Sequence, residues 1–149
     1  METERLESNK RAVRRLYEEC INQARVELYP ELIAKEYVGP NGESGPSGFR
    51  DTVEAMRAGV PDIRFTVDDL VAEDDKVAIR WTWTGTQTGT LRGFPASNAR
   101  VTNTGIAVYR LSDGKITGSW LETDRLGVLQ QIGVIPKLRP TPPQADAHR

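Results

Sequence analysis

Lys76-Val77-Ala78-Ile79-Arg80-Trp81-Thr82-Trp83-Thr84-Gly85-Thr86-Gln87-Thr88-Gly89 is the stretch on which the fold turns. Val77, Ile79, Trp81 and Trp83 alternate with Ala78, Arg80, Thr82 and Thr84. A period of two marks a strand with one face buried, and β-branched and aromatic residues suit it. Residues 76–89 are therefore expected as one long strand. Upstream, Ile63, Phe65 and Val67 alternate with Arg64, Thr66 and Asp68, and Glu73-Asp74-Asp75 supplies a turn. Downstream, Gly93-Phe94-Pro95 interrupts the pattern, and residues 100–111 resume it. Ser112-Asp113-Gly114 reads as a hairpin turn into a fourth strand over 115–124. Residues 125–132 close with a short helix carrying Leu126, Leu129 and Ile132.

The first half of the chain has a different period. Val13, Leu16, Tyr17, Cys20 and Ile21 lie on one face of a helix, with Arg14, Arg15, Glu18 and Glu19 on the other. That helix is expected from about Ser8 to Asn22. A second short helix is expected over 29–37, with Pro30 in its first turn. The Gly- and Pro-rich segment 39–46 is a loop. Ser47 is placed to cap a third helix bearing Phe49, Thr52, Val53 and Met56, which ends at Gly59 before Pro61. Helices followed by antiparallel strands give an α+β domain over 1–135, with an irregular tail over 136–149 that carries proline and charge but no period. A curved sheet crossed by helices leaves a cone-shaped cavity suited to a small apolar ligand.

Totals narrow the function. The chain of 149 residues can bury one core. Its net charge of −1 comes without a block of either sign, so neither nucleic acid nor an anionic membrane is an expected partner. There is no apolar run of membrane-spanning length and no signal peptide, which points to the cytoplasm. Cys20, the only cysteine, falls on the apolar helix face and reads as core. The only histidine is His148. A Ser-His or Cys-His dyad and a multi-histidine metal site are thereby excluded. The acids from Asp68 to Asp75 lack the spacing of a calcium loop.

Several segments together resemble the SnoaL-like polyketide cyclases. They are Asn9 with Ala12 through Tyr17, Gly48-Phe49-Arg50, Pro61 through Val67, Thr84 through Gly89, Gly93-Phe94-Pro95, Asp113 through Ile116, and Trp120 through Asp124 followed by Leu126 through Gly133. Their order and spacing cover nearly all of the chain except the tail. The resemblance implies a nuclear transport factor 2-like cone, N-terminal helices on a curved, mostly antiparallel sheet, usually dimeric through that sheet. It implies chemistry without metal or cofactor on a polycyclic aromatic polyketide of anthracycline type, either aldol ring closure or ring hydroxylation. It also implies an aspartate at the end of the last strand as the proton-transfer residue, the position of Asp124. Where the cyclases commonly carry a histidine, this chain has 39–44, Ala107 and Gln87. That departure inclines the reading to ring hydroxylation, for which a separate reductase would supply electrons.

The residues offer roles of their own. A carboxyl in an apolar pocket is raised in pKa and can both take and return a proton. Asp124 can do so, or can simply cap the helix that follows. Glu122, on the same strand face, is a second proton carrier or a surface charge. Trp81, Trp83 and Trp120 offer flat walls for fused rings. Asn103 and Tyr109, on one face with Gly105 and Ala107, can hold a carbonyl oxygen where enolate charge grows. Gln87 can donate a hydrogen bond or serve structure. The other face, with Arg80, Thr82, Thr84, Thr102, Thr104, Ile106 and Val108, suits a homodimer contact. Two further readings stay open: a non-catalytic small-molecule binder, and an epoxide hydrolase, which needs an inward Asp-Arg-Asp set not evident here.

Overall fold

The computed structural model describes residues 1–137; His148 and most of the expected tail lie outside the described residues. Helix α1 (Glu2–Arg15) runs on as a π-helical turn (Leu16–Ile21), and a 3-10 turn (Val26–Leu28) leads into α2 (Tyr29–Leu32). Strand β1 (Ile33–Val38), helix α3 (Gly45–Gly59) and strands β2 (Arg64–Glu73), β3 (Lys76–Thr86), β4 (Arg100–Ser112) and β5 (Lys115–Thr123) follow, then α4 (Arg125–Gln131). The sheet order is β1-β5-β4-β3-β2. The pairs β2–β3, β3–β4 and β4–β5 are antiparallel, and β1 joins β5 in parallel. This is the expected α+β cone.

Three boundaries differ from the sequence reading. Helix α1 starts at Glu2 rather than Ser8. Its first two turns have no apolar stripe and rest on close ion pairs, Arg5 to Glu2 at 2.8 Å and Lys10 to Glu7 at 2.9 Å. The expected helix over 29–37 is one turn only; Ile33 to Val38 form a strand instead. Ile33 and Tyr37 are buried while Lys35 and Glu36 are exposed, and Ile33 sits opposite Ile116 on the edge of β5. Pairing with that edge overrides a short apolar run that fits either period. Strand β3 stops at Thr86, three residues early.

The core lies between the helices and the inner face of the sheet. Leu16, Val13 and Cys20 from the first helix meet Val77, Ile79 and Val101 from the strands, all fully buried. Burial pushes the Cys20 thiol up to about 11, so it is an inert core residue. Gly105 is required by packing: a Cβ there would stand 2.5 Å from the Trp81 ring, directly across the β3–β4 pair. The small residue makes room for that indole. No helix among the described residues is long and apolar enough to cross a membrane.

Strand β5 contains the irregularity that matters most for the site. Leu111 faces Ile116, yet the next residue back, Arg110, faces Gly118. One extra residue, Thr117, is therefore inserted in β5. A bulge of one residue moves every later side chain to the opposite face. Beyond it Ser119, Leu121 and Thr123 lie opposite Tyr109, Ala107 and Gly105 on the inner face. Trp120 and Glu122 lie opposite Val108 and Ile106 on the outer face.

Candidate active site

A cavity of about 270 Å³ lies between sheet and helices. Its floor is the inner face of β3, β4 and β5, where Trp81, Trp83, Asn103, Ala107, Tyr109, Ser119 and Thr123 stand side by side. Tyr17 and Ile21 cover it from the first helix, Phe49, Val53 and Met56 from α3, and Val128 and Leu129 from α4, with Ile132 just after it. The aromatic rings interlock edge to face. Phe65 meets Trp81 at 5.1 Å between centroids and Tyr17 at 5.3 Å. Such a wall suits flat, fused rings.

Several polar groups on the wall are held by hydrogen bonds to one another. The hydroxyls of Tyr17 and Tyr109 hydrogen-bond to each other at 2.5 Å in the buried interior. Burial pushes both phenols well above their ordinary range; for Tyr109 the neighbouring Tyr17 adds to this. Two hydroxyls and one shared hydrogen bond leave one phenolic proton free to donate. The Trp81 indole N–H is buried beside Tyr17 and makes no well-aligned hydrogen bond. Together these are donors for a ligand oxygen. At another part of the wall the Tyr37 hydroxyl bonds Ser119 Oγ at 2.8 Å. Burial raises the Tyr37 phenol, Ser119 opposes that, and the nearby Glu43 charge reinforces it.

Glu43 is the one carboxylate on this wall among the described residues. Its Oε1 accepts from the Asn41 backbone N–H at 2.8 Å. A Cβ at position 39 would stand 2.6 Å from that oxygen and 2.8 Å from the Tyr37 hydroxyl, so Gly39 keeps the carboxylate and the phenol close together. On the sequence, segment 39–46 reads only as a loop, because a Gly- and Pro-rich stretch has no period to say which side chain turns inward.

The expected site residues divide sharply. Trp81, Trp83, Asn103 and Tyr109 are brought together on the floor. Asp124 is not. It is exposed and caps α4, its Oδ1 accepting from the Gly127 backbone N–H at 2.8 Å, and it is absent from the wall. The inward positions at the end of β5 hold Ser119, Leu121 and Thr123, none of which can carry a proton as a carboxylate does. Glu122 is exposed on the outer face for the same reason, the bulge at Thr117. Trp120 borders the cavity, but it is half exposed on the outer face with the Arg110 guanidinium 5.2 Å from its ring centre. Gln87 is fully buried and pins the 87–99 loop. Its amide nitrogen reaches the carbonyls of Gly89, Phe94 and Pro95 within 3.2 Å, and its Oε1 accepts from Ser97 N. It therefore serves structure, not ligand. Asn103 donates through one of its two Nδ2 N–H groups to Thr123 Oγ1 at 2.9 Å, which fixes the orientation of the amide.

Known proteins share this architecture. The family described as SnoaL-like polyketide cyclase matches residues 11–132. TsrD from Streptomyces laurentii is 30% identical, with 87% of this chain and 97% of that one covered and a TM-score of 0.81. A proposed polyketide cyclase from Acidithiobacillus ferrooxidans is also 30% identical, over 84% of this chain and 94% of that one, at a TM-score of 0.75. AclR, a proposed hydroxylase from Streptomyces galilaeus, is 21% identical over 90% and 86% at 0.79, which speaks to the fold alone. No curated protein matches the chain.

Proposed function

The chain belongs to the SnoaL-like polyketide cyclase family, and from that premise we propose that it binds a fused-ring aromatic ketone of polyketide type and moves a proton at a carbon activated by the ketone. One observation carries the reading: an aromatic cavity holds buried oxygen-directed donors, Tyr17, Tyr109 and Trp81, together with one wall carboxylate, Glu43. The donors hold the ketone oxygen as negative charge grows on it, and the carboxylate takes the proton from the adjacent carbon. Glu43 replaces Asp124 in this role because it is on the wall and Asp124 is not.

Ring closure needs no further partner. The enolate carbon attacks a second carbonyl of the same molecule, one C–C bond forms, and the proton ends on the new alkoxide, so the mass is unchanged. This is the reading supported by the cyclase likeness at 30% identity. Ring hydroxylation is the second reading, favoured by a cavity wall without imidazole among the described residues. It adds an oxygen atom and requires dioxygen and an electron donor, for which a separate reductase is the natural source. The purified protein incubated with open and closed anthracyclinone ketones, with and without reductase and dioxygen, distinguishes the two. A product isomeric with the substrate indicates closure; a gain of one oxygen that needs the reductase indicates hydroxylation. Ligand binding with neither product would leave a binder.

The outer face of the sheet supports a homodimer. Val71, Ala78, Val108 and Trp120 align in one cross-strand row over four strands, with Ile106 beside them. Val71, Ile106 and Trp120 are each about half exposed or more. Arg80 and Thr82, expected in the same contact, are instead tied to Asp69 and Asp68 within the chain. The apolar centre is thus displaced toward β5. Light scattering at micromolar concentration is expected to give a dimer, and Ile106→Asp a monomer, because an unpaired buried charge is not tolerated in such a contact. A wild-type monomer refutes the contact.

A further inference from the structure

We propose that Asn103 is the specificity residue of the cavity and that it selects a ligand bearing a hydroxyl group, whose proton it accepts. The proposal rests on the aromatic-ketone reading above and adds the second functional group of the ligand.

The hydrogen-bond chain on the floor fixes which end of the amide is free. Thr123 has a single hydroxyl proton, and its Oγ1 stands 2.8 Å from the Thr104 carbonyl oxygen. Two oxygens meet at that distance only if one donates, and a carbonyl has no proton, so the Thr123 proton goes to Thr104. Thr123 Oγ1 must then accept at its other contact, and Asn103 Nδ2 is the donor there, at 2.9 Å. The amide cannot be reversed without setting two acceptors against each other. Its Oδ1 is consequently the end left with no partner at all. That oxygen is buried and has no partner, in a side chain only 6% exposed that lines the cavity.

A buried acceptor without a donor is unfavourable, and such groups concentrate where a ligand completes them. What completes Asn103 must carry a proton. A ketone, ether or quinone oxygen facing it would meet lone pair with lone pair. A phenolic or enolic hydroxyl satisfies it. The floor therefore reads two different oxygens: Trp81 and the tyrosine pair, as donors, take the ketone, and Asn103, as acceptor, takes the hydroxyl. Hydroxylated fused-ring ketones are selected over their O-methyl ethers and deoxy analogues, which places this protein before any O-methylation of that position.

The test uses the full chain and three probes: a hydroxyanthraquinone whose hydroxyl lies away from its carbonyls, the methyl ether of that compound, and unsubstituted anthraquinone. Affinity is read from quenching of tryptophan fluorescence below the pH at which the probe phenol ionises. In the wild type the hydroxy probe is expected to bind about tenfold more tightly than the ether and severalfold more tightly than the bare ring, the scale of one hydrogen bond to an otherwise orphaned acceptor. Raising the pH through the phenol's ionisation abolishes that advantage, since a phenolate has no proton to give. In Asn103→Leu the bare ring becomes the tightest of the three. Equal affinity of hydroxy probe and bare ring in the wild type overturns the proposal, as does an advantage that persists in Asn103→Leu. The wild-type series stands whether or not the variant folds. Failure of all three probes to bind the wild type is a different result, overturning the aromatic-ketone reading itself and this inference with it.

Discussion

Glu43→Gln is expected to lower turnover of a fused-ring ketone by roughly 10²- to 10⁴-fold, the usual worth of a positioned proton carrier, while affinity for the ketone stays within a few-fold. Glutamine keeps the length of the side chain, and its carbonyl oxygen can still accept from Asn41 N as Glu43 does at 2.8 Å. The loop is therefore preserved, and only the capacity to hold a proton is removed. The loss should appear in kcat rather than KM, because the group acts in the transition state. Asp124→Asn is the necessary companion. Asparagine and aspartate cap helices about equally well, so it should be silent in both stability and turnover. Asp124→Ala, which removes the acceptor for Gly127 N, should destabilise by about 1 kcal/mol with turnover intact. Full activity in Glu43→Gln together with a large loss in Asp124→Asn would return the proton to Asp124, and would require α4 to rearrange when ligand binds.

Alkali should unfold the protein more steeply than it does an ordinary domain. All four tyrosines are pushed above their usual range, each with burial as the largest cause. Tyr17 and Tyr109, with 4% exposure each, are the clearest pair. Below about pH 10 both phenols keep their protons in the folded and unfolded chain alike, and stability does not depend on them. Above that, the unfolded chain releases two protons that the folded chain retains. Protons then favour folding, so stability falls as pH rises toward the folded-state values. Each phenol contributes a slope of about 1.4 kcal/mol per pH unit, or about 3 for the pair. Denaturant titrations at steps above about pH 10 measure this slope, and Tyr17→Phe should lower it by about 1.4 kcal/mol per pH unit. Tyrosinate absorbance should rise together with unfolding and not before it. Tyrosines that titrate near pH 10 in a still-folded protein would show that the cavity floor is open to water.

The absence of a carboxylate from the β5 part of the floor and the outward Glu122 have one origin, the parity of β5. On the sequence, Ile116 and Trp120 fall on one alternating set with Glu122 and Asp124, and the bulk of a tryptophan argues that this set faces inward. The inserted Thr117 reverses the set after Ile116, so Trp120 and Glu122 go outside while Ser119, Leu121 and Thr123 go inside. A period of two tells which residues share a face only while the register is unbroken. Gly118 is the one local mark of the break, and its effect on the register is set by pairing with Arg110 and Leu111 across the sheet.

The sequence by itself determined whatever depends on neighbours along the chain. The alternation of 76–84 made a strand with Trp81 and Trp83 inside, and the same rule placed Asn103 and Tyr109 on the floor. Ser112-Asp113-Gly114 made a hairpin, and the helical spacing of Val13 to Ile21 buried one face of the first helix. Asp124 as a helix cap was also legible, since a cap bonds only three residues ahead. Only the tertiary structure decided what depends on partners far along the chain. It made Ile33 to Val38 a strand by offering it the edge of β5. It turned Gln87 into the peg of a loop by closing four backbone groups around it. It brought Glu43 to the cavity from a loop without period, and through Thr104 and Thr123 it fixed which end of Asn103 a ligand meets. Local propensity and period act over a few residues, whereas the orientation of a polar group is set by whichever donor or acceptor the fold places opposite it.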